Sequence, residues 1–467
     1  MILLAHSYYL AHDAKQQARM KPYPPLATLL AAAVLRRGGH PVALFDAMLA
    51  PGVEAFEDML DAVRPSVVGI LEDNFNFLTK MCTVRMREAT VRMVGAAHER
   101  GCRVVVNGSD SADRPALYLA AGADAVLLGE AEMGMLELAD AWTADRSAAL
   151  GGIAGLVLPA TRGDVVRTPA RHGLRDLDAL PLPAWDLVDA GAYRAAWTGA
   201  HGRMSWNVVT SRGCPYGCNW CAKPVFGRRY TQRSPLSVAE EMRRLKDEVA
   251  PDHVWFADDI FGLTPEWIAE LARQVKRLDA RIPFMMQSRV NLMRPAVVRA
   301  LAEAGAEEVW LGVESGSQKI LDAMDKGTTV QEARAATRAL QAQGIRACWF
   351  VQLGYPTEGW DDLVMTRDLI RDERPDDIGV SVSYPLPGTR FHEMVREQLG
   401  ARRNWEDTDD LAMLFHGTYT TAFYRRVRDV LHREAADGAD EGLWAALEMD
   451  EPAHRSETPL AAAAVPA

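Results

Sequence analysis

Residues 211–224 read S-R-G-C-P-Y-G-C-N-W-C-A-K-P and place three cysteines, Cys214, Cys218 and Cys221, in one short loop. Pro215 and Gly217 within this stretch favour a tight turn. Thiolates at a C-x3-C-x2-C spacing bind three irons of a [4Fe–4S] cluster. No fourth cysteine lies nearby in the sequence, so the pattern predicts one iron that stays open for a substrate or a cofactor.

The same cysteines have three simpler interpretations. A disulfide is disfavoured because the chain has only six cysteines and its first ten residues read as a buried strand, not as a signal peptide. A structural zinc site needs four ligands, and neither His201 nor His253 lies at a finger-like spacing. Chance clustering is the third alternative. Thiolate number and spacing favour iron–sulfur over zinc.

Composition limits the class of protein. The 467 residues are 48% hydrophobic and 25% charged, which is typical of a soluble protein with two or three domains. No apolar run approaches the roughly 20 residues of a membrane span, so we expect no membrane span and a cytoplasmic location. The net charge of −11 argues against a general nucleic-acid binder. A basic stretch over 223–246 is interpreted as a solvated face, with contact to carboxylates or phosphates as the alternative.

Residues 1–145 alternate short apolar runs with amphipathic stretches. This alternation predicts a doubly wound α/β (Rossmann-like) domain with helices on both faces of a parallel sheet. Ligands of such sheets bind at the carboxyl ends of the strands. Predicted strands lie at 2–5, 42–45, 67–71, 104–106 and 125–128.

The rest of the chain divides into four parts. Residues 146–200 are Pro-rich near their end and are interpreted as an extended connector. Residues 201–395 contain six strand–helix units with polar groups at the strand ends, which predicts a partial (β/α)6 barrel with its site at those ends. Residues 396–450 read as a small helical cap, and residues 451–467 as a disordered tail.

The cysteine loop, with Trp220 directly before the last cysteine, resembles that of the radical S-adenosylmethionine (SAM) superfamily. In that family the open iron chelates the amino and carboxylate groups of SAM, and reductive cleavage gives a 5′-deoxyadenosyl radical that abstracts hydrogen from carbon. The resemblance implies that six further residues bind SAM. These are Trp220, Asp258, Asp259, Ser288, Arg289 and Glu314.

Several of these residues have structural alternatives. Asp258 and Asp259 stand where the family often has a G-G-E-like run, so they match by position and chemistry only, and a helix N-cap pair is their alternative. Trp220 has a core tryptophan as its alternative. For Glu314 the alternative is a buried acid paired with an arginine.

The first domain resembles the cobalamin-binding domain that precedes the radical SAM domain in one branch of the superfamily. The implied cobalamin-binding residues follow the predicted strands or precede the first long helix. They are Pro25, Leu26, Glu72, Asn74, Gly108, Ser109, Gly129 and Glu130.

This part of the chain also departs from the cobalamin pattern. The D-x-H-x-x-G run is absent, so no histidine is positioned to replace the lower axial ligand of cobalt. The polar run 72–74 is unusual for the loop that faces the corrin, and Asn107-Gly108 replaces a Gly-Gly pair. A sheet domain without the cofactor is the alternative, because a doubly wound fold does not specify a ligand.

Together these resemblances imply a cobalamin-dependent radical SAM enzyme, similar to class B methyltransferases and to anaerobic Mg-protoporphyrin ester cyclases. The implied reaction methylates an unactivated carbon of a small-molecule or natural-product substrate. An external electron donor of the flavodoxin or ferredoxin type is the implied partner. Tyr384 and Tyr419 are candidate catalytic hydroxyls, with packing as their alternative.

Three rival functions remain at this point. A non-methylating cyclisation or rearrangement uses the same layout. An RNA methylthiotransferase predicts a second cysteine cluster and a basic RNA-binding domain, neither of which the sequence contains. An iron–sulfur sensor needs no SAM site. The isolated Cys82, Cys102 and Cys348 are interpreted as small buried hydrophobic residues.

Overall fold

The computed structural model describes residues 1–75, 84–221, 223, 225–400 and 413–456 and is of the mixed α/β class. The chain divides into two compact units. The described residues of the first unit are 1–75, 84–213 and 225–258. Those of the second unit are 214–221, 223, 259–400 and 413–456.

A seven-stranded sheet forms the centre of the first unit, in the order β2-β1-β3-β4-β5-β6-β7. Strands β1 to β5 pair in parallel, and β6 and β7 add antiparallel strands at one edge. The order of the parallel part reverses between β1 and β3, and doubly wound sheets bind ligands at such a switch point. The bounds are β1 (Ile2–Ala5), β2 (Val42–Phe45), β3 (Val67–Leu71), β4 (Arg103–Asn107), β5 (Ala125–Leu127), β6 (Leu156–Pro159) and β7 (Val165–Arg167).

Helices cover this sheet because its central strands are apolar on both faces, as buried parallel strands usually are. In α3 the apolar residues Val53, Phe56 and Leu60 recur at helical spacing and are all buried. The bounds are α1 (Ala14–Arg19), α2 (Leu26–Arg37), α3 (Val53–Val63), α4 (Val84–Glu99), α5 (Ser109–Asp113), α6 (Pro115–Ala120) and α7 (Ala131–Ala144).

Local sequence signals set most of these bounds. Helix α2 ends where Gly38 and Gly39 follow it, and Gly39 adopts a φ of +86°. The predicted strands at 2–5, 42–45 and 67–71 have the observed bounds. The strand predicted at 104–106 is one residue longer at each end, and the one predicted at 125–128 ends one residue earlier. The stretch 146–200 differs from the expected extended connector, because it contributes β6, β7 and a helix.

The remaining elements of the first unit include two short pairs of strands. Strands β8 and β11 pair in parallel, and β9 and β10 pair antiparallel. The bounds are α8 (Ala190–His201), β8 (Ser205–Val208), β9 (Ser211–Arg212), β10 (Thr231–Gln232), α9 (Pro235–Glu248) and β11 (His253–Phe256).

The second unit contains parallel strands β12, β13, β14 and β15, paired in sequence order. Trp349 on β14 packs on the helical side, where its indole N–H donates to Thr337 Oγ1 over 2.9 Å. The bounds are α10 (Pro265–Arg277), β12 (Phe284–Ser288), α11 (Pro295–Ala304), β13 (Ala306–Glu314), α12 (Gln318–Ala323), α13 (Val330–Gln341), β14 (Arg346–Leu353), α14 (Trp360–Glu373) and β15 (Asp377–Val382).

Three more helices follow in the predicted cap region: α15 (Arg390–Leu399), α16 (Thr421–Asp437) and α17 (Glu441–Asp450). The prediction of a disordered tail from residue 451 is wrong for 451–456. These residues form a short 3-10 turn and a bridge between Tyr419 and Arg455. Residues 457–467 lie outside the described residues. None of the helices described is long and apolar enough to cross a membrane.

Replacing Phe56 with alanine tests the core of the first unit. Phe56 is fully buried and meets Phe45 edge to face at 5.3 Å between ring centroids. We expect Phe56→Ala to lower the free energy of unfolding by about 3–5 kcal/mol, because it removes buried apolar area and leaves a cavity. Leu117→Ala, at a side chain that is 40% exposed, is the control and should cost less than about 0.5 kcal/mol. Equal losses in urea denaturation would contradict this assignment of the core.

Candidate functional site

The three cysteines of the loop lie in the second unit, partly exposed and without disulfide bonds. Burial raises the pKa of the Cys214 thiol and raises that of Cys221 to about 11, and the positive charge of Lys223 opposes both shifts. Among the described residues, no three metal-binding side chains converge on a single ion. A [4Fe–4S] cluster does not need such convergence, because each thiolate binds a different iron. The thiol set therefore fits a cluster, whose positive irons favour the thiolate form.

Arg289, one of the predicted SAM residues, places a positive charge against this loop. Its Nη1 donates to Cys218 Sγ over 3.4 Å, and its guanidinium carbon lies 3.9 Å from the centroid of the Tyr216 ring. Nη2 donates to the main-chain oxygen of Lys326. A guanidinium in this position stabilises negative charge on the sulfur.

Glu314 forms a buried ion pair at the end of β13. Lys326 Nζ lies 2.6 Å from Glu314 Oε1, and both side chains are 6% exposed. Glu314 has a φ of +67°, where the register between β13 and β14 shifts. A Cβ at Gly312 would lie 2.6 Å from Lys326 Nζ, so the glycine leaves space for the ammonium. The partner is a lysine, not the arginine that the structural alternative assumed.

Two further predicted SAM residues have polar atoms that lack partners. Among the described residues, Ser288 Oγ and Trp220 Nε1 are buried without a hydrogen bond. Lys326 Nζ lies 5.9 Å from the centroid of the Trp220 ring, so Trp220 shares the surroundings of the ion pair. Buried polar atoms are rarely left unpaired, so these atoms fit a bound ligand. Their role toward SAM stays a prediction.

Asp258 and Asp259 have different surroundings. Asp258 lies in the first unit, where its Oδ1 accepts from Thr210 N, Thr210 Oγ1 and Ser211 Oγ over 2.5–3.0 Å. Asp259 lies in the second unit, and its negative charge raises the pKa of both Cys214 and Cys221. The charge of Asp259 therefore acts on the thiols of the cysteine loop, whereas Asp258 accepts hydrogen bonds from Thr210 and Ser211 within its own unit.

The candidate tyrosines are buried. The Tyr419 hydroxyl donates to Glu451 Oε1 over 2.6 Å and so fixes the turn at 451–454. Tyr384 is also buried, directly after β15. These placements favour the packing alternative, and a catalytic role for either residue stays a prediction.

The predicted cobalamin residues collect at the carboxyl edge of the first sheet. After β3, Glu72 is buried, and its Oε2 has no partner among the described residues. A Cβ at Gly108 would collide with that oxygen, so the glycine after β4 makes room for Glu72. Burial raises the pKa of Glu72 to about 8, and Asp110 adds to the shift. Asn74 donates to Asn107 Oδ1 over 3.0 Å, and Asn107 in turn donates to the Gly129 carbonyl.

The start of α2 lies at the same carboxyl edge of the first sheet, because it bonds to a residue that follows β3. Pro25 and Leu26 are buried at this helix start, and Asp73 Oδ1 accepts from the Ala27 N–H over 3.2 Å. Ser109 begins α5. His6 follows β1 and was not predicted. Its Nε2 lies 2.9 Å from Asp46 Oδ1, and its Nδ1 is a buried atom that has no partner in the described part of the chain.

Glu130 takes part in an ion triad that sequence reasoning missed. Arg212 Nη1 lies 2.9 Å from Glu130 Oε2, and Nη2 lies 2.5 Å from Glu132 Oε1. The guanidinium carbon also lies 5.5 Å from the ring centroids of Phe75 and of Phe226, which stack on each other. The Glu130 carboxylate is thus paired with Arg212. The buried Cys102 and Cys348 match the prediction, and Cys82 lies outside the described residues.

These observations define an α/β protein with an iron–sulfur loop among buried polar groups. Residues 208–370 match the family model described as the Radical SAM superfamily. The cysteine loop lies inside the matched segment. Over this segment the chain is therefore similar to proteins of that superfamily.

Known proteins similar to this chain include two curated relatives. An uncharacterized methyltransferase of Pyrococcus horikoshii is 29% identical over 82% of this chain and 81% of its own length. The anaerobic magnesium-protoporphyrin IX monomethyl ester cyclase of Rubrivivax gelatinosus is 27% identical over 59% of this chain and 49% of its own length.

A solved structure shares the fold. The radical SAM methyltransferase TsrM of Kitasatospora setae, determined with cobalamin and a [4Fe–4S] cluster bound, superposes with a TM-score of 0.69. The superposition covers 86% of this chain and 79% of that one at 20% identity. At this identity the likeness shows a common fold.

Removing the three loop thiols tests the cluster assignment. The triple variant Cys214→Ala, Cys218→Ala, Cys221→Ala should lose the roughly four irons per chain expected after anaerobic reconstitution, because no other thiolates of this spacing exist in the sequence. Cys102→Ala, at a buried thiol that donates to the Pro65 carbonyl, is the control and should keep them. Iron and sulfide analysis distinguishes the two, and equal iron content would refute the assignment.

Asp258 predicts a pH dependence of stability. Burial raises the pKa of Asp258 from 3.8 to about 7, despite its hydrogen bonds. The folded protein therefore holds a proton that the unfolded chain releases above about pH 4, so this group lowers stability as pH rises from 4 to 7. Asp258→Asn should remove a loss of about 4 kcal/mol across that window, measured as the difference between the two proteins in urea denaturation. Parallel pH profiles would contradict this environment.

Proposed function

We propose that the protein is a cobalamin-dependent radical SAM enzyme that methylates an unactivated carbon of a small-molecule or natural-product substrate. The observation that carries the proposal is the cysteine loop, with Arg289 on Cys218 and the Glu314–Lys326 pair next to Trp220 in the same unit. The proposed arrangement is a cobalamin-binding domain at 1–145, a connecting segment at 146–200 that contributes β6, β7 and most of α8, a partial (β/α)6 barrel at 201–395 and a helical cap at 396–450.

The chain's residues have distinct tasks in this proposal. The three cysteines hold the cluster, and the Arg289 guanidinium offsets negative charge on Cys218. When bound, the cluster supplies the electron that cleaves SAM to a 5′-deoxyadenosyl radical. Asp259 accepts from the ammonium group of SAM, because a carboxylate near the loop is suited to that contact. Ser288 Oγ offers SAM a hydrogen bond that no described protein group uses.

The edge of the first sheet fits a large polar cofactor. His6 Nδ1 and Glu72 Oε2 are buried atoms without partners among the described residues, and they follow the two strands that flank the switch point. Gly129 adopts a φ of +73°, and apart from its two chain neighbours no atom of the described residues lies within 4 Å of where its Cβ would stand. We assign the cobalamin site to this edge, where Glu72, Asn74, Gly108, Ser109 and Gly129 lie.

Within this site the Glu130 carboxylate pairs with Arg212 and does not contact cobalamin. When bound, cobalamin supplies the methyl group that the substrate radical collects. The residues of the two sites orient the reactants and exclude water, which is how a protein directs such cofactors. An external flavodoxin or ferredoxin as electron donor and a cytoplasmic location complete the proposal.

A non-methylating cyclisation or rearrangement is the second candidate. It is favoured by the likeness to a magnesium-protoporphyrin ester cyclase, although this chain covers only about half of that relative. One fold hosts both reactions, so only the product distinguishes them.

Cofactor content and methyl transfer test the proposed function. After anaerobic reconstitution with iron, sulfide and hydroxocobalamin, we expect about four irons and one cobalamin per chain. Methyl-labelled SAM should then pass its label to a carbon of the substrate and also yield 5′-deoxyadenosine. Four irons without cobalamin would refute the methylcobalamin route. Deoxyadenosine formation without labelled product would favour the cyclase alternative.

A further inference from the structure

Asn219 lies between two ligands of the cluster loop, yet it is not itself a ligand. It is 6% exposed, and all of its polar groups have partners. Its main-chain N–H donates to the Met324 carbonyl over 3.1 Å, and its carbonyl accepts from the Phe391 N–H over 3.0 Å. A residue bonded on both sides of its backbone fixes the path of the loop between Cys218 and Cys221.

The Asn219 side chain extends this attachment. Nδ2 donates to the Ala323 carbonyl over 2.8 Å and to Asp325 Oδ2 over 3.1 Å. Oδ1 accepts from the Tyr355 hydroxyl over 2.9 Å, and that hydroxyl also lies 2.9 Å from the Ala323 carbonyl. Burial raises the pKa of Tyr355 to about 12, so the hydroxyl keeps its proton. Only an amide offers two donors and an acceptor on one short planar group.

We call residues 323–326 the anchor segment, because Asn219 bonds to three of its four residues. The fourth, Lys326, pairs with Glu314, lies near the Trp220 ring and accepts a hydrogen bond from Arg289 on its carbonyl. One short segment thus contacts the cluster loop and three of the predicted SAM residues.

We propose that Asn219 is a positioning residue that holds the cluster loop in register with the SAM-binding side chains through the anchor segment. This inference rests on the proposed radical SAM function. Without the Asn219 side chain, the three cysteines still bind iron, but the loop keeps only its main-chain bond to Met324 in the anchor segment and loses its side-chain bonds to Ala323 and Asp325. SAM contacts the open iron and these side chains together. A displacement of the loop relative to the side chains therefore weakens SAM binding more than it weakens cluster binding.

The test compares two variants with a matched control. Asn219→Ala should keep about four irons but bind SAM about tenfold more weakly, the lower end of effects seen around metal ligands. It should also reduce the change that SAM causes in the electron paramagnetic resonance spectrum of the reduced cluster. Tyr355→Phe should act in the same direction but less, because it removes one donor. Thr337→Val, which breaks the buried bond to Trp349 in the same unit, should leave affinity and spectrum unchanged.

The outcomes separate this inference from the function it rests on. Wild-type SAM affinity and spectrum in both Asn219→Ala and Tyr355→Phe would overturn the positioning role alone. If Asn219→Ala fails to fold, Tyr355→Phe decides, since it leaves the Asn219 backbone and amide donors in place. A wild-type chain that holds no cluster would overturn the proposed function and this inference together. An equal effect of Thr337→Val would show general destabilisation and also overturn the inference.

Discussion

Parallel pairing places the carboxyl ends of all strands on one edge of a sheet, and the candidate sites of this protein depend on that constraint. In the first unit, the ends of β3, β4 and β5 are joined by hydrogen bonds from Asn74 to Asn107 and from Asn107 to the Gly129 carbonyl. In the second unit, Ser288 ends β12 and Glu314 ends β13. Residues far apart in sequence thereby share an edge, where ligands of such sheets bind.

The same edges bury charge, which costs free energy unless each charge has a partner. Arg212 offsets Glu130 and Glu132, and Lys326 offsets Glu314. Replacing such pairs by apolar side chains is often neutral or stabilising, so they are weak evidence for a role in stability. Glu72 forms no such ion pair with any residue that the structure describes, and burial moves its pKa upward. The edges therefore keep polar groups that a purely structural sheet does not need.

Sequence periodicity predicted the elements, because burial on a strand or helix face leaves a local pattern. The bounds of α2 and α3 and of β1 to β3 follow from apolar spacing and from turn residues such as Gly38. The partners of site residues leave no such pattern. Arg212 meets Glu130 across 82 positions, so no local pattern in the sequence indicates this ion pair. The tail at 451–456 was read as disordered because the contact of Tyr419 with Glu451 is likewise not local.

The cysteine loop shows why a sequence motif predicts which residues are ligands more readily than it predicts their positions. Residues 213–221 contain no helix or strand, so no regular hydrogen-bond ladder holds the three thiols in place. Their positions must come from side chains and from bonds to other segments. Arg289 bonds to Cys218 itself, and Asn219 bonds to the segment that carries Lys326. The spacing of the cysteines thus predicts the cluster, whereas the contacts of an intervening residue, Asn219, show how the loop is attached to the segment that carries Lys326.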